Sequence, residues 1–173
     1  MVSRGVRSAF LACCVVLVAM TACFGPDPNV SDSGKGIPLP VIEFPGTVEP
    51  GAIEIATLEV TNPGPEEIQA VVVAFARLGF MAPGQTELPT PLIEPKVQGE
   101  PSAILGVEPE PVGTNENGLV FRFGPLAEGE SMSIEFELQM PDDPGSFGNS
   151  IQVYAGEDVE RARGVRLLTE VKG

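Results

Sequence analysis

Apolar and polar residues alternate most clearly at 132–140, where every second residue is apolar and the residues between them are Ser, Glu or Gln. Side chains at alternate positions of a strand point to opposite faces of its sheet. This segment is therefore predicted to be a strand with one face in a core and the other in water. From residue 37 onward, no segment of useful length shows the 3.6-residue period of an amphipathic helix. The pattern predicts an all-β domain.

Two neighbouring segments depart from simple alternation. In 52–61 the apolar residues occupy one phase before Ala56 and the opposite phase after it, which predicts a β-bulge or a bend there. The next segment, 68–76, is apolar at nearly every position and is expected to be a central strand covered on both faces. Between them lies Asn-Pro-Gly-Pro at 62–65, where Pro and Gly suit the second and third positions of a type II turn.

The remaining strands complete a two-sheet arrangement. The segment 119–123 alternates and leads through a turn at 124–130 into the 132–140 strand, so the two are predicted to form a hairpin-like pair. Further strands are predicted at 39–44, 103–107, 150–154 and 165–171. About seven or eight strands fit an all-β sandwich of two sheets. We assign this single domain to 37–173.

Turn chemistry and strand pattern together resemble the immunoglobulin-like repeats of bacterial surface proteins, including CARDB-like adhesion modules. The similarity lies in Leu-Glu-Val-Thr-Asn-Pro-Gly at 58–64 before the strand at 71–73, in 123–131, and in Asn-Ser-Ile-Gln-Val at 149–153. It extends over about 50–171 and implies a sandwich fold with an adhesion or interaction role. Unlike antibody domains, the chain has no tryptophan and no pair of cysteines to join the sheets.

The N-terminal segment 1–22 has the features of a secretory signal peptide. It carries Arg4 and Arg7, then an apolar run at 8–20, then two small residues before Cys23. The apolar run is shorter than the roughly 20 residues that a membrane-spanning helix requires. We therefore expect export rather than a permanent transmembrane anchor.

The residues Met-Thr-Ala-Cys at 20–23 resemble the lipobox of bacterial lipoproteins, although Met20 stands where that family prefers Leu. The resemblance implies a lipid on the thiol of Cys23 and cleavage before it. The protein would then lie at the cell membrane and face the extracytoplasmic side, with 23–36 as a flexible tether rich in Pro, Asp, Ser and Gly. The alternative is an ordinary signal peptide that ends by chance in Ala-Cys.

The acidic composition and the absence of histidine exclude several classes of function. The 24 acidic and 10 basic residues give a net charge of −14, which repels nucleic acid. The lack of histidine removes Ser-His-Asp and Cys-His catalysis and imidazole metal sites. After removal of 1–22, Cys23 is the only cysteine, so no intramolecular disulfide is expected.

Carboxylate side chains are the remaining candidates for catalysis or metal binding. The acidic pairs at 66–67 and 142–143 lie beside Pro and Gly in predicted turns, so we interpret them as solvated surface rather than as the two acids of a glycosidase. The loop 142–149 offers oxygen ligands for calcium, but it has no D-x-D-x-D-G spacing. We expect no catalytic residue, no metal and no cofactor.

The segment 82–118 is the main irregularity, since it contains seven prolines. One interpretation is an extended edge strand and a solvated crossover, in which proline blocks edge-to-edge aggregation. The other is a binding loop, because long ordered loops on a sandwich often bind partners. Its apolar candidates for partner contact are Leu88, Leu92, Ile93, Ile104 and Leu105.

These observations favour a non-catalytic lipoprotein of the cell envelope. We expect it to bind an envelope protein or to act as an accessory subunit, and nothing in the sequence identifies that protein partner. The alternative is a carbohydrate- or cell-wall-binding module. Such modules usually stack sugars on aromatic faces, and this chain has no tryptophan and one tyrosine, Tyr154. An enzyme is the least favoured class.

Overall fold

The computed structural model describes residues 36–79 and 86–173. The predicted signal peptide at 1–22, the lipidation site Cys23 and nearly all of the predicted tether lie outside the described residues. Within the described part, no helix is long and apolar enough to cross a membrane.

The described residues form ten strands in two sheets. The four-stranded sheet has the order β1-β3-β8-β5 and the six-stranded sheet has the order β2-β10-β9-β4-β7-β6. Neighbouring strands are antiparallel except for the parallel pair β2 and β10. The strands are β1 (Leu39–Glu43), β2 (Thr47–Val48), β3 (Ile53–Thr61), β4 (Val71–Ala76), β5 (Ile104–Glu108), β6 (Gly113–Thr114), β7 (Val120–Arg122), β8 (Ser131–Gln139), β9 (Gly145–Ala155) and β10 (Arg163–Val171).

The core lies between the inner faces of the two sheets. The alternation predicted at 132–140 is confirmed, since the apolar residues of β8 are buried or half-buried and the polar residues between them are mostly exposed. Phe136 of β8 meets Phe75 of β4 and Phe121 of β7 edge to face, with ring centroids 5.0 and 5.4 Å away. The predicted fold class, an all-β immunoglobulin-like sandwich, is confirmed.

The bulge predicted near Ala56 is wrong. β3 pairs with β8 in unbroken register from Ile53 opposite Gln139 to Thr61 opposite Ser131. Ala56 and the apolar residues after it point into the core, whereas Ile53 and Ile55 lie exposed on the outer face. The apolar pattern changes phase because Ile53 and Ile55 are apolar residues on the solvent-facing side of a regular strand.

The hairpin predicted for 119–123 and 132–140 is also wrong. β7 pairs with β4 and β6 in one sheet, and β8 pairs with β3 and β5 in the other. The connection between β7 and β8 therefore crosses from sheet to sheet, and Phe123 and Leu126 are buried along it. By contrast, the central position predicted for 68–76 is confirmed, because β4 lies between β9 and β7 and is largely buried.

A buried asparagine organises the turns where the chain enters the domain. Asn62 donates from its side chain to the carbonyl oxygens of Glu66 and Leu126, both at 2.9 Å, and accepts from the backbone N–H of Gly64 at 3.0 Å. Gly64 has a φ of +85°, which glycine adopts readily. A Cβ on Gly36 would lie 3.8 Å from the Glu66 carbonyl oxygen. We call this end of the sandwich the entry end.

Candidate interaction surface

The connection between β4 and β5 lies at the end of the sandwich opposite the entry end. β8 starts beside the end of β3, at Thr61, and runs away from the entry end. β5 begins at Ile104, opposite Leu138 near the far end of β8. Nine residues of strand correspond to roughly 30 Å. The described part of the connection, 86–103, is therefore separated from Gly36 by about the length of the domain.

One buried side chain fixes this connection to the sandwich. The side-chain oxygen of Asn149, on β9, accepts from the backbone N–H of Ile93 at 2.8 Å, and its amide nitrogen donates to the Ile93 carbonyl at 2.8 Å. The same nitrogen donates to the carbonyl of Ala76 at 3.2 Å. Asn149 is 1% exposed. The side-chain amide of Asn149 thus makes the two backbone hydrogen bonds with Ile93 that a neighbouring strand would otherwise make.

Backbone hydrogen bonds extend this attachment toward the start of the connection. The N–H of Thr90 donates to the carbonyl of Ser146, and the N–H of Gly148 donates to the carbonyl of Thr90, both at 2.9 Å. A Cβ on Gly148 would lie only 2.5 Å from the Leu167 carbonyl oxygen. Glycine is therefore required sterically here, where the connection, β9 and β10 pack closely.

The five predicted contact residues divide into three groups by burial. Leu92 and Ile93 are 6% and 3% exposed and belong to the hydrophobic core, so the folded domain cannot offer them to a partner. Ile104 is half-buried against the core. Leu88 and Leu105 are 53% and 48% exposed. The candidate surface therefore retains Leu88 and Leu105.

The segment 82–118 is not a single loop. It includes β5 and β6, which are edge strands of different sheets, and this agrees with the interpretation of it as edge strand and crossover. Among the described residues of the segment, two further large apolar side chains are exposed, those of Val97 and Val112. Sequence reasoning missed both. Their signal would have been an isolated valine among Pro, Gly and charged neighbours, a pattern that also fits a solvated loop.

Two small depressions flank the start of β5. They have volumes of about 220 and 230 Å³ and share Lys96 and Ser102 in their walls. Ligand-binding pockets for small molecules usually measure about 300–1,000 Å³. The depressions are better matched in size to a few side chains of another protein than to an enclosed small molecule.

The acidic groups singled out in the sequence do not form a shared site. The pairs at 66–67 and 142–143 are exposed on turns. Asn149, the last oxygen ligand considered for calcium, is already bonded to the backbone of Ile93. Among residues 36–79 and 86–173, no group of three or more acidic or cysteine side chains is arranged to hold a metal ion.

No protein-family model matches this chain, and neither does any curated protein. Solved structures share its fold at low identity. The CARDB domain of a Pyrococcus furiosus protein, solved in complex with di-metal ions, is 12% identical over 82% of this chain and 95% of that domain, with a TM-score of 0.45. A PapD-like domain of human CEP192 is 16% identical over 78% of this chain and 84% of its own, with a TM-score of 0.35.

A family 123 glycoside hydrolase from Clostridium perfringens contains a similar region. It is 15% identical over 73% of this chain, with a TM-score of 0.40, and the match spans 22% of the hydrolase. In all three cases the similarity concerns the sandwich fold alone.

Proposed function

We propose that this protein is a non-catalytic, lipid-anchored lipoprotein of the cell envelope, in which the sandwich binds another envelope protein or serves as an accessory subunit. An immunoglobulin-like sandwich without a catalytic constellation suits an interaction domain. The observation that carries the proposal is the position of the connection 86–103. It is an ordered segment that exposes Leu88 and Val97 at the end opposite the entry of the chain at Gly36.

The predicted tether determines which end of the sandwich would lie next to the membrane. As a flexible linker, the predicted tether of about a dozen residues between Cys23 and Gly36 would have a root-mean-square reach of roughly 20 Å. A lipid on Cys23 would hold the entry end close to the membrane. The connection 86–103 would then point away from the membrane, where a partner protein can reach it.

Carbohydrate or cell-wall binding is the second candidate, and the aromatic side chains argue against it. Of the described aromatic residues, Phe44, Phe147 and Tyr154 are half-buried and the others are buried. Sugar-binding sandwiches usually present an exposed aromatic face on which a sugar ring can stack. A protein partner that contacts exposed aliphatic side chains fits the described surface better.

In-cell photo-crosslinking of the full-length chain tests the proposal. A photoreactive amino acid at Leu88, within the connection 86–103, is expected to yield one defined adduct with an envelope protein, identified by mass spectrometry. The same amino acid at Val159, which is equally exposed but lies at the entry end, is the matched control and should not form that adduct. Equal adducts from both positions would contradict a specific surface. No adduct at either position would favour the cell-wall alternative.

A further inference from the structure

The outer face of the four-stranded sheet carries acidic residues and no basic ones. Five glutamates point outward from β1, β3, β8 and β5, and none of these four strands contains Lys or Arg. The cations of the described residues all lie in the six-stranded sheet or in connecting segments: Arg77, Lys96, Arg122, Arg161, Arg163, Arg166 and Lys172. The two sides of the sandwich therefore differ in charge. We call the first side the acidic face, with the glutamates Glu43, Glu59, Glu108, Glu135 and Glu137.

The strand register places three of these glutamates in one transverse row. Glu43 lies opposite Thr57, Thr57 opposite Glu135, and Glu135 opposite Glu108. Neighbouring strands are about 4.8 Å apart, so Glu135 and Glu108 are direct cross-strand neighbours of like charge, an arrangement that destabilises a sheet. The described salt bridges all lie outside this sheet. Among the described residues, no salt bridge therefore offsets this repulsion.

An apolar side chain and a glycine shape the next row. Ile55 lies opposite Glu137, and Glu137 lies opposite Gly106. Because Gly106 has no side chain, a depression of about 280 Å³ opens there, lined by Ile55, Gly106, Val107, Glu108, Glu135 and Glu137. Ile53, the next outward residue along β3, is 55% exposed and Ile55 is 53% exposed. The acidic face thus combines an aliphatic strip with adjoining carboxylates.

We propose that the acidic face is a docking surface for a partner protein that presents Lys or Arg side chains next to apolar ones. The long aliphatic stem of a Lys or Arg would cover Ile55, and its charged end would meet the carboxylates around the depression. The partner's charge would relieve the repulsion between Glu108 and Glu135. A metal ion is a poor occupant, because the described carboxylates are not arranged as a metal site. This inference does not depend on binding at the connection 86–103.

A labelled peptide of eight alternating lysines and valines tests the proposal by fluorescence anisotropy, with the full-length chain in non-ionic detergent and about 0.15 M salt. Replacing both Glu135→Gln and Glu137→Gln is expected to weaken binding by about fivefold or more, since paired interface charges contribute to affinity when partly desolvated. Replacing Ile53→Ser and Ile55→Ser should weaken it by a similar factor, about fivefold, through lost apolar contact.

Two matched variants separate this surface from general attraction to an acidic protein. Glu157→Gln with Glu160→Gln removes the same charge from the turn between β9 and β10, and Val159→Ser removes an exposed apolar residue there. Both are expected to change the dissociation constant by less than about twofold. In addition, amide chemical shifts of the unsubstituted chain should change in β3, β5 and β8 on titration with the peptide.

Three outcomes would overturn the proposal. Equal weakening by the Glu157 and Glu135 double variants would mean that the peptide senses net charge alone. Chemical-shift changes confined to other strands would place the peptide elsewhere. Self-association of the chain in sedimentation experiments, abolished by Ile53→Ser with Ile55→Ser, would show that a second copy occupies the face.

Discussion

Asn149 illustrates how much of the candidate surface depends on a single side chain. Its amide serves both backbone groups of Ile93 in a buried position. Asn149→Ala would leave a buried N–H and a buried carbonyl without partners, and each such group costs about 1–3 kcal/mol. We predict a loss of about 2–4 kcal/mol in the free energy of unfolding, measured by denaturant titration. Asn117→Ala, at an exposed position, should stay within about 0.5 kcal/mol of the parent chain.

Thr169 is a local imperfection of the core. Its hydroxyl is buried on the inner face of β10 and has no hydrogen-bond partner among the described residues. Thr169→Val keeps the shape and removes the unsatisfied group, so we predict a gain of about 1 kcal/mol in the free energy of unfolding and a melting temperature higher by a few degrees. Thr57→Val on the outer face of β3 is the control. A lower melting temperature for Thr169→Val would show that the hydroxyl does have a partner.

Individual strands were predictable from the sequence where one face is buried and the other is exposed to solvent. β8 satisfies that condition along its whole length, and its pattern predicted it correctly. β3 does not, because Ile53 and Ile55 are apolar yet exposed, so the pattern there indicated a bulge that is absent. The pairing of 119–123 with 132–140 failed for another reason: a turn in the sequence does not reveal whether the chain remains in the same sheet.

The connection 86–103 was predictable as an irregular segment, but its internal order was not. Its apolar residues all looked alike in the sequence, and the structure buries Leu92 and Ile93 while exposing Leu88. The difference arises from Asn149, which lies 56 residues after Ile93 in the chain. A polar residue such as Asn149 within an apolar strand indicates a buried hydrogen bond, but the sequence does not show which distant segment supplies the partner.

The surfaces of the molecule differ along two axes, one parallel to the strands and one perpendicular to the sheets. Along the strands, the entry end near Gly36 and the connection 86–103 lie at opposite ends. Across the sheets, the acidic face lies opposite the six-stranded sheet, which carries three of the seven described cations, Arg122, Arg163 and Arg166. An anchor at one end would therefore leave both candidate surfaces accessible, one at the far end and one along the side. The two surfaces adjoin on β5, where Leu105 of one neighbours Gly106 of the other, so two partners would bind together only if neither covers that junction.

The anchor itself gives the last prediction. If Cys23 carries the lipid, the full-length chain made in a bacterium that is fed an alkyne-tagged fatty acid should take up the label, and Cys23→Ala should abolish it. Cys14→Ala is the matched control, because Cys14 lies within the apolar run of the predicted signal peptide and its replacement should leave the label unchanged. A label retained in Cys23→Ala would contradict lipidation at this residue. Loss of the label in Cys23→Ala alone would establish the attachment that holds the entry end near the membrane. The lipobox resemblance implies a diacylglyceryl group on this thiol, whose two acyl chains suffice for stable anchoring.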